Sequence, residues 1–224
     1  VVVVPFQCIL ALLLALLISS RRKGVSVFRA AYFSPNITSM VVVAILWSVL
    51  YNPNPSTGLL NAFLTKLGFA PCGFLTDPKT SMNSIIFMSA WQAAGYQMMI
   101  FLAGLQAIPG DQYEAASIDG AGRWNKMRFI TFPALANTML TVFILNLAKV
   151  MNLFESAFVL QNDAVLGTAN VLETYIYYQT FNSGAIPNYG YTTAIGLFKS
   201  LVGCVLVLVC NQWSKKVREG RGIV

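Results

Sequence analysis

Five long apolar blocks divide this chain, separated by short polar connections rich in glycine and proline. The blocks fall at 1–18, 33–51, 83–108, 134–160 and 191–213. A helix needs roughly 20 mainly apolar residues to cross the hydrocarbon core of a bilayer, so each block predicts one membrane-spanning helix. The expected fold is all-α, a polytopic transmembrane helical bundle forming a single domain over 1–224. The first block opens on Val1-Val2-Val3-Val4-Pro5, without methionine and without the basic front and small-residue exit site of a cleaved signal peptide. At least one further span is therefore expected ahead of it. The connection at 52–81 holds Pro53, Pro55, Gly58, Gly68, Pro71, Gly73 and Pro78, all turn signals. Between them, 59–67 predicts a short surface helix. The connection at 161–188 carries Tyr175-Ile176-Tyr177-Tyr178, which fits interfacial anchoring and, as a second reading, a surface on which sugars stack.

Composition supports a lipid bilayer as the solvent. Of 224 residues, 56% are apolar and 10% charged, and mean hydropathy is +0.63; a soluble domain carries about 25% charged residues. The formal charge of +7 raises nucleic acid as a partner, but the placement of the charges argues for none. Arg21, Arg22, Lys23 and Arg29 follow the first block, Arg123, Lys126 and Arg128 the third, and Lys215, Lys216, Arg218 and Arg221 the fifth. The two opposite connections hold only Lys66 and Lys79. The positive-inside tendency puts the first group in the cytoplasm, and the C-terminus with it. Histidine is absent, which removes histidine metal sites, Ser-His-Asp hydrolysis and histidine proton relays. Cys8, Cys72, Cys204 and Cys210 have neither metal-ligand nor disulfide-framework spacing. They read as small hydrophobes, and no metal site is expected.

The connection richest in chemistry comes after the third block. It reads Ile108-Pro109-Gly110-Asp111-Gln112-Tyr113, then Glu114-Ala115-Ala116-Ser117-Ile118-Asp119-Gly120-Ala121, and ends Phe129-Ile130-Thr131-Phe132-Pro133. Pro109 stops the spanning helix, and Asp111 is placed to cap a new short one. Asp119-Gly120 makes a turn, because glycine tolerates the left-handed backbone, and Asp119 is placed to cap a second short helix. Ala121, Trp124, Met127 and Ile130 recur at intervals of three with Arg123, Lys126 and Arg128 between them, which predicts that this second helix is amphipathic. On these grounds alone the segment is a cytoplasmic helix-turn-helix, and one lying on lipid headgroups is an alternative reading.

The residue string is more specific than that. Glu114, Ala115, Ala116, Asp119, Gly120, Ala121, Ile130 and Pro133 resemble the signature loop of binding-protein-dependent ABC importer permeases. The departures are Met127, where phenylalanine is usual, and Phe132, where leucine is usual; both stay apolar. Other segments look like carbohydrate-uptake permeases: Gly58-Leu59-Leu60-Asn61 with Leu67-Gly68, Trp91, Ala103-Gly104-Leu105-Gln106 with Ile108-Pro109, and Tyr175-Ile176-Tyr177 with Tyr191 and Ala194. The run 194–216, with Gly196-Leu197-Phe198-Lys199-Ser200 and Asn211, is most similar to the polysaccharide and oligosaccharide branch. Many sugar permeases carry a Gly-Gly-Pro turn soon after the counterpart of Phe154. Here the chain has Leu160-Gln161-Asn162-Asp163 instead, so a simple disaccharide is not the implied cargo.

The resemblance implies a multi-pass permease subunit of a bacterial inner membrane that carries an oligosaccharide or polysaccharide by alternating access. Its implied partners are a second homologous permease forming a heterodimer, two cytoplasmic ATPase subunits that receive the loop at 109–133, and an extracytoplasmic solute-binding protein. The chain has no glycine-rich loop ending Gly-Lys-Ser/Thr to cradle phosphates. ATP and Mg therefore belong to the ATPase, and this chain is expected to bind no cofactor and to be no enzyme. In that scheme Glu114 is the polar contact with the ATPase, Gly120 the turn, and Ala115 and Ala116 the small residues that allow close approach.

Polar groups inside spans are costly and face a cavity or a partner helix. Candidates for the translocation path are Gln92, Tyr96 and Gln97 in the third span, then Asn146, Lys149, Asn152 and Glu155, spaced by three, in the fourth, and Lys199 in the fifth. They fit helix–helix hydrogen bonding, with a Lys149–Glu155 pair, as well as they fit a sugar path. Two intramembrane lysines also fit an acidic, uronate-containing substrate. The alternative class is an ion-coupled secondary sugar transporter. It calls for an internal repeat and an intramembrane carboxylate; only Glu155 is available, and no repeat is evident.

Overall fold

The computed structural model describes residues 3–19, 24–150, 154–162, 165, 170–182 and 187–219. Every regular element among them is helical, as a bilayer demands, since lipid offers no partner for a bare backbone N–H or C=O. In chain order these are α1 (Val3–Ile18), α2 (Val25–Ile37), α3 (Met40–Leu50), α4 (Leu59–Lys66), α5 (Ser81–Gln106), α6 (Gly110–Ile118), α7 (Arg123–Lys126), a π-helical turn (Met127–Thr131), α8 (Phe132–Val150), α9 (Phe154–Leu160), α10 (Leu172–Phe181) and α11 (Tyr189–Glu219).

Three helices among the described residues are long and apolar enough to cross a membrane: Ser81–Gln106, Arg123–Lys149 and Tyr189–Gln212. The pair α2 and α3 makes a fourth only as a broken span. The stretch 33–51 was expected to be one helix, but it parts at Thr38 and Ser39, where Ser39 adopts φ −53° and ψ 136°. Pro35 lies inside α2; it removes a backbone donor and its ring crowds the carbonyl of Ala31. A break of this kind survives in lipid where side chains satisfy the freed groups, and Gln92 Nε2 donates to the Thr38 carbonyl at 3.2 Å. The block 134–160 also differs from expectation. Its helix is already running from Arg123, and Glu155 lies on α9, with residues 151–153 between α8 and α9 outside the described ones. Helix α1, at 16 residues, is about 24 Å long.

The chain forms two compact units. One comprises Val1–Asn36, Ala93–Leu147 and Leu206–Val224. Its core joins Ala11, Ala15 and Ile18 of α1 to Met98 and Phe101 of α5 and Val142 of α8; small residues let helix backbones approach closely. Gly95 marks the tightest approach: a Cβ there would stand 2.0 Å from the Tyr32 carbonyl oxygen, so α2 and α5 touch backbone to backbone.

The other unit comprises Ile37–Gln92 and Ala148–Val205. Val43, Ala44 and Tyr51 pack there with Ile85, Met88, Leu160, Leu75 and Val165. Trp47 meets the rings of Tyr51, Phe87 and Trp91 at centroid separations of 5.0, 5.7 and 5.5 Å. Asn61 organises the proline-rich connection. Its Nδ2 donates to the carbonyls of Asn52 and Cys72, both at 2.9 Å, and its Oδ1 accepts from the Cys72 N–H at 2.7 Å. Helix α4 lies where a short surface helix was predicted.

Helix α5 is the most enclosed of the span-length helices and α11 the least. Leu197, Phe198, Leu201, Leu208 and Val209 of α11 are exposed, an apolar surface that suits lipid rather than water.

Candidate functional site

Helix α6 begins after Pro109, which holds the N-cap position with φ −59° and ψ 134°. Asp111, expected as the cap, lies instead in the first turn and makes no capping bond; its charge still complements the positive helix end. At the other end, the Gly120 N–H donates to Ser117 O at 3.2 Å and the Ala121 N–H to Ala116 O at 2.8 Å. This pair of bonds is a Schellman motif, which needs a left-handed residue at its pivot. Gly120 supplies it at φ +77°. Ala116 and Ala121 are the two residues joined by the motif's longer bond. Asp119 closes α6 and does not cap the next helix, whose N-cap is Gly122.

The second helix is not a separate element. One turn of α7 passes into the π turn and on into α8, so Arg123–Lys149 runs from the loop into the span without interruption. The Phe132 N–H reaches back five residues to Met127 O. Pro133 has no N–H for the Phe129 carbonyl and its ring crowds that oxygen, which accounts for the wider turn just before it. Turns of this type gather at functional sites.

Two side-chain bonds tie α6 to this helix. Tyr113 Oη and Thr131 Oγ1 lie 2.8 Å apart, and Lys126 Nζ donates to Ser117 Oγ at 2.5 Å. Thr131 is buried, whereas no residue of α6 is. Glu114, Ala115, Asp119 and Gly120 are exposed, and Ala116 and Ala121 half-buried. Apolar side chains stand out beside them: Ile118 is 87% exposed, Trp124 65% and Phe129 68%. Exposed apolar groups rimmed by charge mark interaction surfaces.

The intramembrane polar candidates fall in several places. Gln92 is half-buried at the α2–α3 break. Tyr96 is exposed on α5. Asn146 is buried in a cluster drawn from three helices: Gln97 Nε2 donates to Asn146 Oδ1 at 2.8 Å and lies 3.5 Å from Gln7 Oε1. Asn146 Nδ2 donates to Val142 O at 2.9 Å and to Cys8 Sγ at 3.7 Å. Lys149 lies near the end of α8 and Glu155 in the first turn of α9, each exposed. Asn152 lies outside the described residues. Lys199 on α11 forms an ion pair with Glu173 on α10. Sequence reasoning missed Gln7, whose only signal is a lone amide in an apolar run, and Glu173, which nothing in its spacing links to Lys199.

Comparison with known proteins adds to this geometry. The family described as binding-protein-dependent transport system inner membrane component matches residues 7–219. A probable ABC transporter permease protein of Pyrococcus horikoshii is 38% identical over 218 residues, covering 96% of this chain and 73% of its own length. The polygalacturonan/rhamnogalacturonan transport system permease protein YteP of Bacillus subtilis is 32% identical over 213 residues, covering 93% of this chain and 64% of its own length. A chain from the crystal structure of a bacterial alginate ABC transporter, in complex with alginate pentasaccharide-bound periplasmic protein, aligns with a TM-score of 0.87 and 29% identity. That alignment covers 96% of this chain and 74% of the other, so the chain spans 64–74% of the length of these three relatives. With the match running from residue 7 to 219, over a helical bundle that presents a glycine-closed loop, the chain belongs to the binding-protein-dependent ABC transporter permeases.

Proposed function

We propose that this chain is the membrane subunit of an ATP-driven importer for an oligosaccharide or polysaccharide. The observation that carries the reading is the exposed helix α6, closed at Gly120 and followed by an unbroken helix long and apolar enough to cross a membrane. Such an element can receive a push from outside the bilayer and deliver it to a span. In the proposed cycle a pair of ATPase subunits holds the loops of two permeases, this chain and a homologous partner. Closure of the ATPases on ATP moves the loops, the Tyr113–Thr131 and Lys126–Ser117 bonds keep α6 in step with the adjoining helix, and the spans turn from inward-open to outward-open. A solute-binding protein on the other side supplies the saccharide. Glu114 is the proposed polar contact, and Ala115, Ala116 and Ala121 keep the approach close.

The saccharide class is supported by relatives whose names specify polygalacturonan, rhamnogalacturonan and alginate. It is supported as well by the chemistry of the span residues, since amides, phenols and charged groups exchange hydrogen bonds readily with sugar hydroxyls. Gln92, Lys149, Glu155 and Lys199 in one unit, and Tyr96 and Asn146 in the other, are the proposed saccharide contacts, as is Asn152 outside the described residues. The test is Gly120→Pro. Proline holds φ near −65°, against +77° at this turn, so the complex should assemble while ATP-driven uptake in proteoliposomes falls to background. Uptake at the wild-type rate in that variant overturns the assignment of the loop, and uptake that persists without any ATPase favours an ion-coupled carrier instead.

A further inference from the structure

We infer that Lys199 is a carboxylate-binding site for an acidic saccharide, and that Glu173 fills this site in the present conformation. The inference rests on the importer reading and narrows its substrate to chains bearing uronate groups. Lys199 lies on the span-length helix α11 among exposed apolar neighbours, Leu197, Phe198 and Leu201. A cation is costly there, and an enclosed ion pair does not repay that cost in stability, because apolar residues of similar size serve as well or better. What the pair does provide is an exchangeable ligand. Glu173 stands on a different helix from Lys199, so the two can part without either helix unwinding. Their side chains are 13% and 22% exposed for Lys199 and Glu173: shielded enough to strengthen the attraction, yet open to a competitor.

The same helices carry other groups that suit a sugar acid. The hydroxyls of Tyr175 and Tyr191 meet at 3.4 Å, a second link between the same two helices. Tyr177, two residues further along α10, stands edge-on to Phe158 with centroids 4.8 Å apart. A uronate residue carries a carboxylate, hydroxyls and an apolar ring face. This region of α10 and α11 offers an ammonium, phenolic hydroxyls and aromatic rings to match. Binding is then an exchange: the substrate carboxylate takes the ammonium, and Glu173 is released with α10. A neutral saccharide has nothing to exchange.

The test uses the whole transporter, purified through a tag on this chain and reconstituted in proteoliposomes. Uptake of tetragalacturonate is compared with uptake of maltotetraose. Lys199→Gln should raise KM for tetragalacturonate by about tenfold or more, the worth of one charge-assisted bond, and raise the maltotetraose KM by far less, since a glutamine amide still bonds to sugar hydroxyls. Glu173→Gln, which removes the internal competitor, should lower KM for tetragalacturonate alone. The double variant Glu173→Gln/Lys199→Gln leaves no lone charge, so it should assemble like the wild type and lose preference for the acid. Equal effects on both sugars, a wild type with no preference for the acid, or a double variant that keeps that preference overturns the inference while leaving the importer reading intact. A wild type that drives neither sugar with ATP overturns both.

Discussion

Asn61 is wholly buried in a connection crowded with proline and glycine. Its side chain serves three backbone groups at once, doing for an irregular loop what a ladder of main-chain bonds does for a helix. Each buried polar group left without a partner costs about 1–3 kcal/mol. Asn61→Leu keeps the volume and removes all three bonds, so it should lower the unfolding temperature in detergent and expose the 52–80 connection to protease. Wild-type cleavage in that variant would show that the loop is held by something else. Gln97 poses the same problem inside the membrane. Its Nε2 is bonded, but its Oε1 is buried without a hydrogen bond, and an amide half satisfied in this way is free to accept a different donor if the helices shift.

At the level of elements, the proposed function assigns the coupling to the two bonds between α6 and the adjoining helix. A double-mutant cycle with Tyr113→Phe and Thr131→Val isolates one of them. We expect an interaction of about 0.5–1.5 kcal/mol for a neutral bond, read from thermal unfolding, together with a larger loss of ATP-driven uptake than of ATPase activity. Additive effects would mean that the hydroxyls do not work as a pair. The physics of these elements decides how far each could be read from the chain. Gly120 could be placed at its turn because only glycine takes φ +77° without strain. Asp111 and Asp119 could not be placed correctly, because the N-cap positions they were expected to hold are taken by Pro109 and Gly122, neither of which makes a side-chain capping bond. Apolar length located α5 and α11, but it is blind to hydrogen-bond register. It therefore missed the break at Ser39 and the π turn before Pro133, where one residue changes which carbonyl an N–H can reach. The Lys199–Glu173 pair was hidden for a different reason: its members lie 26 residues apart and on different helices.

For the molecule as a whole, the placement of basic residues makes a checkable statement about sidedness. With the four native cysteines replaced by serine, Ser56→Cys should react with a membrane-impermeant maleimide in intact spheroplasts. Lys215→Cys should react only after permeabilisation. The reverse pattern would invert the orientation and remove the loop from the side where ATP is found. On the proposed orientation, the bareness of α6 bears on how the cell keeps subunits in proportion. A copy newly inserted in the membrane displays Ile118, Trp124 and a helix that buries none of its own residues, in a compartment that contains proteases and chaperones. On the proposed function, an ATPase docked there hides the same residues. On that reading orphan and assembled copies differ at one short segment, and a quality-control system that samples it can remove the surplus without inspecting the rest of the chain.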